Sequence, residues 1–278
     1  MSRGPYSQLP KSSFWKSGVA LSSPLFIKDL YKKKFVISAC DRIAVAGSCF
    51  AQHISKQLKA KGFNYLDEEL PPIGLHQSLF SHYGYSIYSA RYGNIYTIKQ
   101  LKQLAEEASG LWAPKNYIWE KHDRYYDALR PSIEPCGYAT KDEVIRDRQF
   151  HLQRVKEMFT NADVFLFTLG LTESWMDKES GTIYPLAPGV IAGKFEPDLY
   201  RFYNTSFSEA MSDFLLFQNA LLHLRCESKL SMRIVLTVSP VPLTATASSQ
   251  HALKANTYSK SVLRALAGEL YERNSHID

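Results

Sequence analysis

Three short apolar runs, none with alternating polar residues, constrain the possible folds more than any other feature of the sequence. The runs occupy residues 42–46, 163–170 and 233–238. Continuous apolar runs of this length are typical of strands buried on both faces, as in a parallel sheet with helices on either side. Each run is followed by a loop and then by a helical pattern, which predicts right-handed crossovers. We therefore predict an α/β fold with a parallel central sheet.

Helix-forming residues at helical spacing fill much of the chain outside these runs. The predicted helices cover about residues 51–61, 98–107, 141–159, 208–225 and 254–272. Residues 63–66 are a candidate for one further strand.

Two stretches rich in aromatic residues, Pro and Gly interrupt the α/β pattern, at about residues 67–137 and 177–204. The first contains two strand-like runs around a turn-like segment at 121–124, which predicts a hairpin insert. Residues 1–34 are rich in Pro and Ser but carry several aromatic side chains, so we expect an arm packed over the core. The predicted organisation is an N-terminal arm, 1–34, and one α/β domain, 35–278, that carries both inserts.

The composition argues against several classes of protein. The formal net charge is +6, but Lys and Arg are spread along the chain, so we expect no nucleic-acid partner. The four cysteines include no CxxC pair, which favours free thiols over a zinc site or a disulfide scaffold. The N-terminus lacks an apolar segment and no apolar run approaches roughly 20 residues, so we predict a soluble, cytoplasmic protein without a membrane span. The sequence has no HxH, HExxH or DxD pattern and no phosphate loop, so we expect no metal and no cofactor.

Ser48 is the first candidate for chemistry, because it follows Gly47 where a predicted strand passes into a helix. Ligands of open parallel sheets bind beyond the carboxyl ends of the strands. At a helix start, the dipole and the free N–H groups can stabilise an oxyanion, which makes Ser48 a candidate nucleophile. The alternative is that Ser48 only caps the helix. Cys49, at the same helix start, is a rival nucleophile.

The same rule selects the loops that follow the second and third strands, at 170–174 and 239–242. In the first of these loops, Thr172 and Glu173 offer a hydroxyl and a carboxylate, although both would also suit the first turn of a helix. A serine nucleophile needs a base, usually a histidine. Of the eight histidines, His251 is the best placed, because it follows the loop after the third strand. The alternative for His251 is an exposed loop position.

Five motifs together resemble the GSCFA family, a branch of the SGNH/GDSL hydrolase superfamily. They lie at residues 46–51, 89–96, 119–131, 167–173 and 238–246. The resemblance implies a three-layer α/β/α sandwich, flavodoxin-like in outline, with the nucleophile in the first motif at Ser48.

The resemblance also implies the residues of an oxyanion hole. Gly170 matches the later Gly of the superfamily, while Thr172 stands in place of its Asn and Glu173 in place of its Asp. The second-block Gly corresponds to Gly93, with Asn94 beside it as a further amide donor. Gly84 is the alternative to Gly93.

The superfamily takes its catalytic Asp and His from a DxxH motif after the last strand, and this chain contains no DxxH. The chain ends at Asp278, where that strand would begin. We expect a fragment that lacks the acid–base pair, the alternative being another histidine such as His251 in its place.

The function implied is a serine-dependent esterase or O-acyltransferase acting on an acylated carbohydrate or a similar polar ester. The carbohydrate expectation depends on the family's association with polysaccharide modification and on the many Tyr and Trp residues, which can stack on sugar rings. The second hypothesis is a non-catalytic binding or assembly module, motivated by the missing DxxH. The third is a phosphate- or nucleotide-binding α/β protein.

Overall fold

The computed structural model describes residues 4–278, which divide into a short N-terminal unit ending at Val36 and a large unit, Ile37–Asp278. The first unit contains a 3-10 turn at Lys11–Ser13 and a π-helical turn at Lys16–Ala20. The packing of the arm over the core stays a prediction, and its first three residues lie outside the described part.

The large unit contains the three predicted apolar strands, the five predicted helices and the predicted hairpin, together with three further strands. In chain order the elements are β1 (Ile43–Ala46), α1 (Cys49–Ala60), α2 (Ile98–Ala108), β2 (Ile118–Lys121), β3 (Arg124–Asp127), α3 (Lys141–Asn161), β4 (Val164–Leu169), β5 (Glu173–Asp177), β6 (Ile183–Tyr184), β7 (Tyr200–Asn204), α4 (Phe207–Arg225), β8 (Arg233–Val238) and α5 (Ala252–Arg273). Among the helices within residues 4–278, none has the length and apolar character needed to cross a membrane.

The central sheet is parallel and has the strand order β1-β4-β8. Val45 pairs with Leu166, and Leu166 pairs with Val235, so the three predicted apolar runs lie side by side. The candidate strand at 63–66 is reduced to one bridge, between Tyr65 and Ile43. At the other edge, Ile277 forms a parallel bridge with Ile234 of β8.

Helices flank the sheet, which confirms the predicted α/β class and fits a three-layer α/β/α arrangement. On one face, Phe165 of β4 contacts Phe159 of α3 and Phe217 of α4, with ring centroids 5.4 Å and 5.9 Å away. On the other face, Thr168 of β4 lies beside the start of α1. Residues 165 and 168 point to opposite faces of the strand, because side chains alternate along it. The core is therefore filled from both sides of β4.

The two inserts form small antiparallel sheets. Strands β2 and β3 make the predicted hairpin, whose turn residues His122 and Asp123 both have positive φ, as a two-residue turn of this kind requires. Strands β5, β6 and β7 form a second sheet in the order β6-β5-β7. Its first strand starts at Glu173, so the insert begins earlier than the predicted residue 177. The helix-start alternative for Glu173 is wrong, because the residue pairs with Asn204 of β7.

A buried ionic network joins the β2–β3 hairpin to α3. Its centre is Asp127, which is 1% exposed and accepts hydrogen bonds from Arg130 Nε at 2.8 Å and Arg148 Nη1 at 2.9 Å. Arg130 also pairs with Asp147, and Arg148 also pairs with Glu107. Burial raises the pKa of Asp127, but Arg148 and Arg130 outweigh this effect and hold it at about 2. Asp127 is therefore ionised at neutral pH.

Replacing Asp127 by Asn should destabilise the protein strongly. The variant leaves two buried guanidinium groups without their shared counter-charge, which typically costs about 3–5 kcal/mol of the free energy of unfolding. Urea denaturation at pH 7 measures the loss. The pKa of Asp127 is lowered from 3.8 to about 2. The stabilisation that ionised Asp127 provides is therefore fully present above pH 3.8 and is lost as the pH falls from 3.8 to about 2.

The matched control is Glu157→Gln, which breaks the more exposed Arg154–Glu157 pair of α3. Such pairs contribute about 0–1 kcal/mol. Equal losses in the two variants, or an unchanged pH dependence in Asp127→Asn, would contradict the central role of the buried carboxylate.

Candidate active site

Gly47 allows α1 to start close against the central sheet. Its φ is +146°, in the region that favours glycine, and a Cβ at this position would lie 2.9 Å from Cβ atoms of both Thr168 and Ala51. Its carbonyl accepts a hydrogen bond from the N–H of Ile95 at 2.9 Å. The strand-to-helix turn predicted from the sequence is therefore packed against two other segments, with Ser48 directly after it.

Ser48 precedes the first residue of α1 and is 3% exposed. Ser48 is the N-cap residue of α1, but within the described residues its side chain makes no capping hydrogen bond to the helix. The N–H of Ala51 donates to the Ser48 carbonyl at 2.9 Å, whereas the N–H groups before it at the start of the helix have no partner within the helix. The Ser48 hydroxyl and these donors consequently lie together at the carboxyl end of β1.

Ser48 lines a cavity of about 520 Å³ beyond the carboxyl ends of the central strands. This volume falls within the range of small-molecule sites. The polar side chains on the wall are Ser48, Cys49, Gln100, Glu173, Ser174, Ser239 and Thr244, and the aromatic ones are Tyr96, Trp175, Tyr184 and Phe202. All three loops selected by the strand-end rule contribute to this wall.

Gly170 lines the cavity, but its backbone polar groups are occupied. The N–H donates to the carbonyl of Tyr96 at 3.2 Å, and the carbonyl accepts from Lys260 Nζ at 2.7 Å. A Cβ on Gly170 would lie 2.9 Å from the Tyr96 carbonyl oxygen. The observed contacts of Gly170 are thus those of a residue that permits close packing, and its predicted place in an oxyanion hole stays a prediction.

Thr172 comes directly before β5, and Glu173 is the first residue of that strand. Thr172 is 1% exposed and is not part of the described cavity wall; its N–H donates to Ser259 Oγ at 3.0 Å. Glu173 is on the wall, where its Oε1 accepts from Thr246 Oγ1 at 2.9 Å. Burial raises the pKa of Glu173, and it is the one carboxylate on the wall within residues 4–278.

Gly93 and Asn94 lie outside the described cavity wall. Gly93 faces Arg130 and Ile133, with φ +69°. The Oδ1 of Asn94 accepts a hydrogen bond from the Tyr88 hydroxyl at 2.6 Å. Tyr96, which closes the 89–96 motif, is one of the wall residues that sequence reasoning did not select; Gln100, Tyr184 and Phe202 are others. The 89–96 motif could have indicated Tyr96, but the resemblance implied roles for its Gly93 and Asn94 instead.

His251 is the N-cap of α5 and is exposed. Its Nδ1 accepts a hydrogen bond from the N–H of Leu253 at 3.1 Å. In the described part of the chain, no histidine side chain is on the cavity wall. The role of His251 as a base stays a prediction. Because Nδ1 already accepts from Leu253, Nε2 is the ring nitrogen that would accept the proton.

His151 forms a separate, buried pair with Glu69, their Nδ1 and Oε2 atoms 2.6 Å apart. Burial raises the pKa of Glu69, but His151 and Arg130 outweigh it and lower the pKa to about 2. Because an ionised carboxylate only accepts, Nδ1 of His151 carries the proton. His151 also borders a cavity of about 30 Å³, which has room for roughly one water molecule. We assign this pair a structural role.

A sequence model of the GSCFA family matches residues 42–278, a range that includes the whole cavity wall. The chain belongs to the GSCFA family. Comparisons with curated proteins and with solved structures found no match. Within residues 4–278 of this GSCFA protein, no group of three His, Cys, Asp or Glu side chains is arranged to hold a metal ion.

Gly47→Ala should disrupt the site of this GSCFA protein. The added methyl group has no space between Thr168 and Ala51, so α1 or β4 must shift. Overpacking of this kind costs about 1–3 kcal/mol, in addition to about 1–2 kcal/mol for a left-handed φ. Thermal and urea unfolding measure the loss.

The control is Gly110→Ala, because Gly110 also has a positive φ, +75°, but faces open space. It isolates the backbone strain from the clash. If the two variants lose the same stability, close packing at Gly47 is not what fixes the turn.

Proposed function

We propose that this GSCFA protein is a serine-dependent esterase or O-acyltransferase with Ser48 as its nucleophile. The observation that carries the proposal is the Ser48 side chain, which makes no capping bond to α1 and lines a cavity of about 520 Å³. The resemblance of its motif to the SGNH/GDSL hydrolases supports the same role. Nucleophile, helix start and cavity are found together in acyl-transfer sites.

In the proposed reaction, Ser48 Oγ attacks the carbonyl carbon of the ester while a base takes its proton. The N–H groups at the start of α1 face the developing oxyanion, where positioned donors contribute most. Collapse of the tetrahedral intermediate breaks the bond to the alcohol, which leaves with a proton, and an acyl-Ser48 remains. Attack by water gives hydrolysis, and attack by an acceptor hydroxyl gives O-acyl transfer.

Glu173 is our candidate for binding a polar substrate group next to Ser48, or for receiving the Ser48 proton. Both residues line the same cavity, and burial raises the pKa of Glu173. A carboxylate with a raised pKa is a stronger base, as general base catalysis requires. His251 stays the predicted alternative for the base.

An acylated carbohydrate or a similar polar ester is the proposed substrate. Trp175 and Phe202 line the cavity and contact each other, with ring centroids 6.1 Å apart. Phe195 supports Trp175 from another side at 5.1 Å. Such rings can stack on the apolar face of a sugar, while Glu173 and Thr244 offer hydrogen bonds to its hydroxyl groups.

The competing function is a non-catalytic binding module that uses the same cavity. It is favoured by the lack of a histidine on the described wall. In that case the cavity binds polar esters or sugars, and no proton is taken from Ser48.

Hydrolysis of a chromogenic acetyl ester tests the proposal. Ser48→Ala should lower kcat/KM by at least about 1,000-fold, since the nucleophile is lost. A fluorophosphonate should add one mass label to the wild type, on Ser48. Cys49→Ala tests the rival nucleophile and should keep most of the activity and the label.

No turnover and no label in the wild type would favour the binding module. Turnover that survives in Ser48→Ala but is lost in Cys49→Ala would transfer the role to the thiol.

Glu173 should make kcat/KM decrease on the acidic side of its pH profile, which we call the acidic limb. Because burial raises its pKa above 4.5, the ionised fraction and kcat/KM fall together as the pH decreases through that raised pKa. Glu173→Gln should abolish this limb. Thr246→Val is the matched variant: the Thr246 hydroxyl lowers the pKa of Glu173, so its loss should move the limb to higher pH. An acidic limb that is unchanged in both variants would exclude Glu173 from the reaction.

A further inference from the structure

The net charge of the chain is concentrated in its N-terminal unit. The chain has 33 basic and 27 acidic side chains, counting Lys and Arg against Asp and Glu. Residues 1–36 contain seven of the basic ones and a single acidic one, Asp29. Lys and Arg occur along the whole chain, but from residue 37 onward they are balanced by acids. The N-terminal unit therefore carries the entire formal charge of +6.

The same unit exposes many large apolar side chains. Within the described residues, eleven such side chains are exposed in the N-terminal unit, against 14 in the much longer unit that follows it. No residue from 4 to 36 is buried. The side chains of Trp15, Leu21, Leu25, Phe26 and Leu30 are each at least 74% exposed. Single exposed apolar residues are ordinary in proteins, but a concentration of them marks an interaction surface.

The two helical turns of the unit pack against each other without using these large side chains. A Cβ on Gly18 would lie 2.8 Å from the Ser12 carbonyl oxygen, so the turns approach closely at this glycine. Ser17 Oγ donates to the Lys11 carbonyl at 2.7 Å. These contacts involve backbone and small side chains, and Trp15 stays 78% exposed.

An anionic lipid surface is the partner that fits both the charge and the apolar side chains. Lysines near such a surface are attracted by its negative potential. Trp, Phe and Leu side chains enter the boundary between the headgroups and the acyl chains. A single-stranded nucleic acid would use the lysines and the aromatic rings, but it would leave the leucines in water. Charge complementarity therefore favours an anionic partner, and the exposed leucines favour lipid.

We propose that the N-terminal unit binds the surface of bilayers that contain acidic phospholipids. Its lysines lie at the headgroups, and Trp15, Leu25 and Phe26 enter the acyl boundary. This association is peripheral and requires no membrane span. The GSCFA match begins at residue 42, so the unit lies outside the matched range. The proposal does not rest on the function proposed for Ser48.

Co-sedimentation of the full chain with lipid vesicles tests the proposal. The protein should bind vesicles of phosphatidylglycerol and phosphatidylcholine in equal parts, and should bind pure phosphatidylcholine far more weakly. Each lysine near an anionic surface contributes about fivefold in affinity, so the triple variant Lys28→Gln, Lys32→Gln and Lys33→Gln should bind roughly 100-fold more weakly.

The matched control replaces three exposed lysines of the large unit, Lys56, Lys61 and Lys254, by Gln. It has the same net charge as the first triple variant, and it should keep most of the affinity for anionic vesicles. Equal losses in the two triple variants would overturn the proposal, as would a wild type that does not bind these vesicles.

The double variant Leu25→Gln and Phe26→Gln tests the apolar contribution at constant charge. It should lower the affinity for anionic vesicles at least about tenfold, because neither side chain then gains from leaving water. The emission of Trp15 should shift to shorter wavelength when anionic vesicles are added, and the shift should be absent in Trp15→Phe. The melting temperature should stay that of the wild type in every variant, because the unit has no buried residue.

Three further results would overturn the proposal. Unchanged affinity in the Leu25 and Phe26 variant would show adsorption by charge alone. Protection of Trp15 from acrylamide quenching without vesicles would show that the unit packs on the core. Weaker binding of a single-stranded oligonucleotide by the first lysine variant, with vesicle binding unchanged, would assign the unit to nucleic acid. The ester assay tests Ser48 separately, and none of these results changes its outcome.

Discussion

The close contact of Gly47 with Thr168 determines where a site can form in this protein. Because residue 47 has no side chain, α1 starts directly against β4, and Ser48 lies at the junction of β1 and α1. The carbonyl of Gly47 also accepts the N–H of Ile95, one residue before Tyr96. Gly47 therefore sets the positions of Ser48, of the central strand β4 and of the segment that contains Ile95 and Tyr96.

Buried charged side chains hold the segment from Arg91 to Tyr96 through hydrogen bonds to the backbone of Arg91. Glu69 accepts the N–H of Arg91 at 2.7 Å, and Arg130 donates to the Arg91 carbonyl at 3.3 Å. Arg130 is in turn held by Asp127 at the end of the β2–β3 hairpin. Desolvation offsets much of the stabilisation that buried ion pairs provide. We therefore infer that the network mainly fixes one arrangement of the segment from Arg91 to Tyr96.

The sequence was sufficient to predict the features that depend on local pattern. Continuous apolar runs predicted β1, β4 and β8, and a Gly-Ser pair at a strand end predicted the position of Ser48. Glu173 is predicted in a loop, with the first turn of a helix as the alternative, but the structure places it in a strand. Its strand is decided by pairing with Asn204, 31 positions further along the chain, and a local pattern contains no information on that pairing.

Roles that depend on distant partners were also beyond a single sequence. His151 lies in a helical pattern, yet its partner Glu69 is 82 positions away. The resemblance implies a donor role for Gly170, and nothing in its local sequence indicates that the Tyr96 carbonyl takes its N–H. Asn94 likewise accepts from Tyr88, which in turn accepts from Gln52, and these contacts form only in the folded chain.

The choice between an enzyme and a binding module depends on what accepts the proton of Ser48. Hydrogen-bond donors stabilise charge on a bound ester whether water or serine attacks it, so donors alone give slow hydrolysis without dependence on Ser48. Serine attack needs an acceptor, and Glu173 is the carboxylate that the described wall supplies. Its raised pKa makes it a stronger base than an exposed glutamate. Turnover that depends on both Ser48 and an ionised Glu173 would therefore identify a serine–glutamate site, whereas turnover that depends on neither would identify a binding cavity with incidental reactivity.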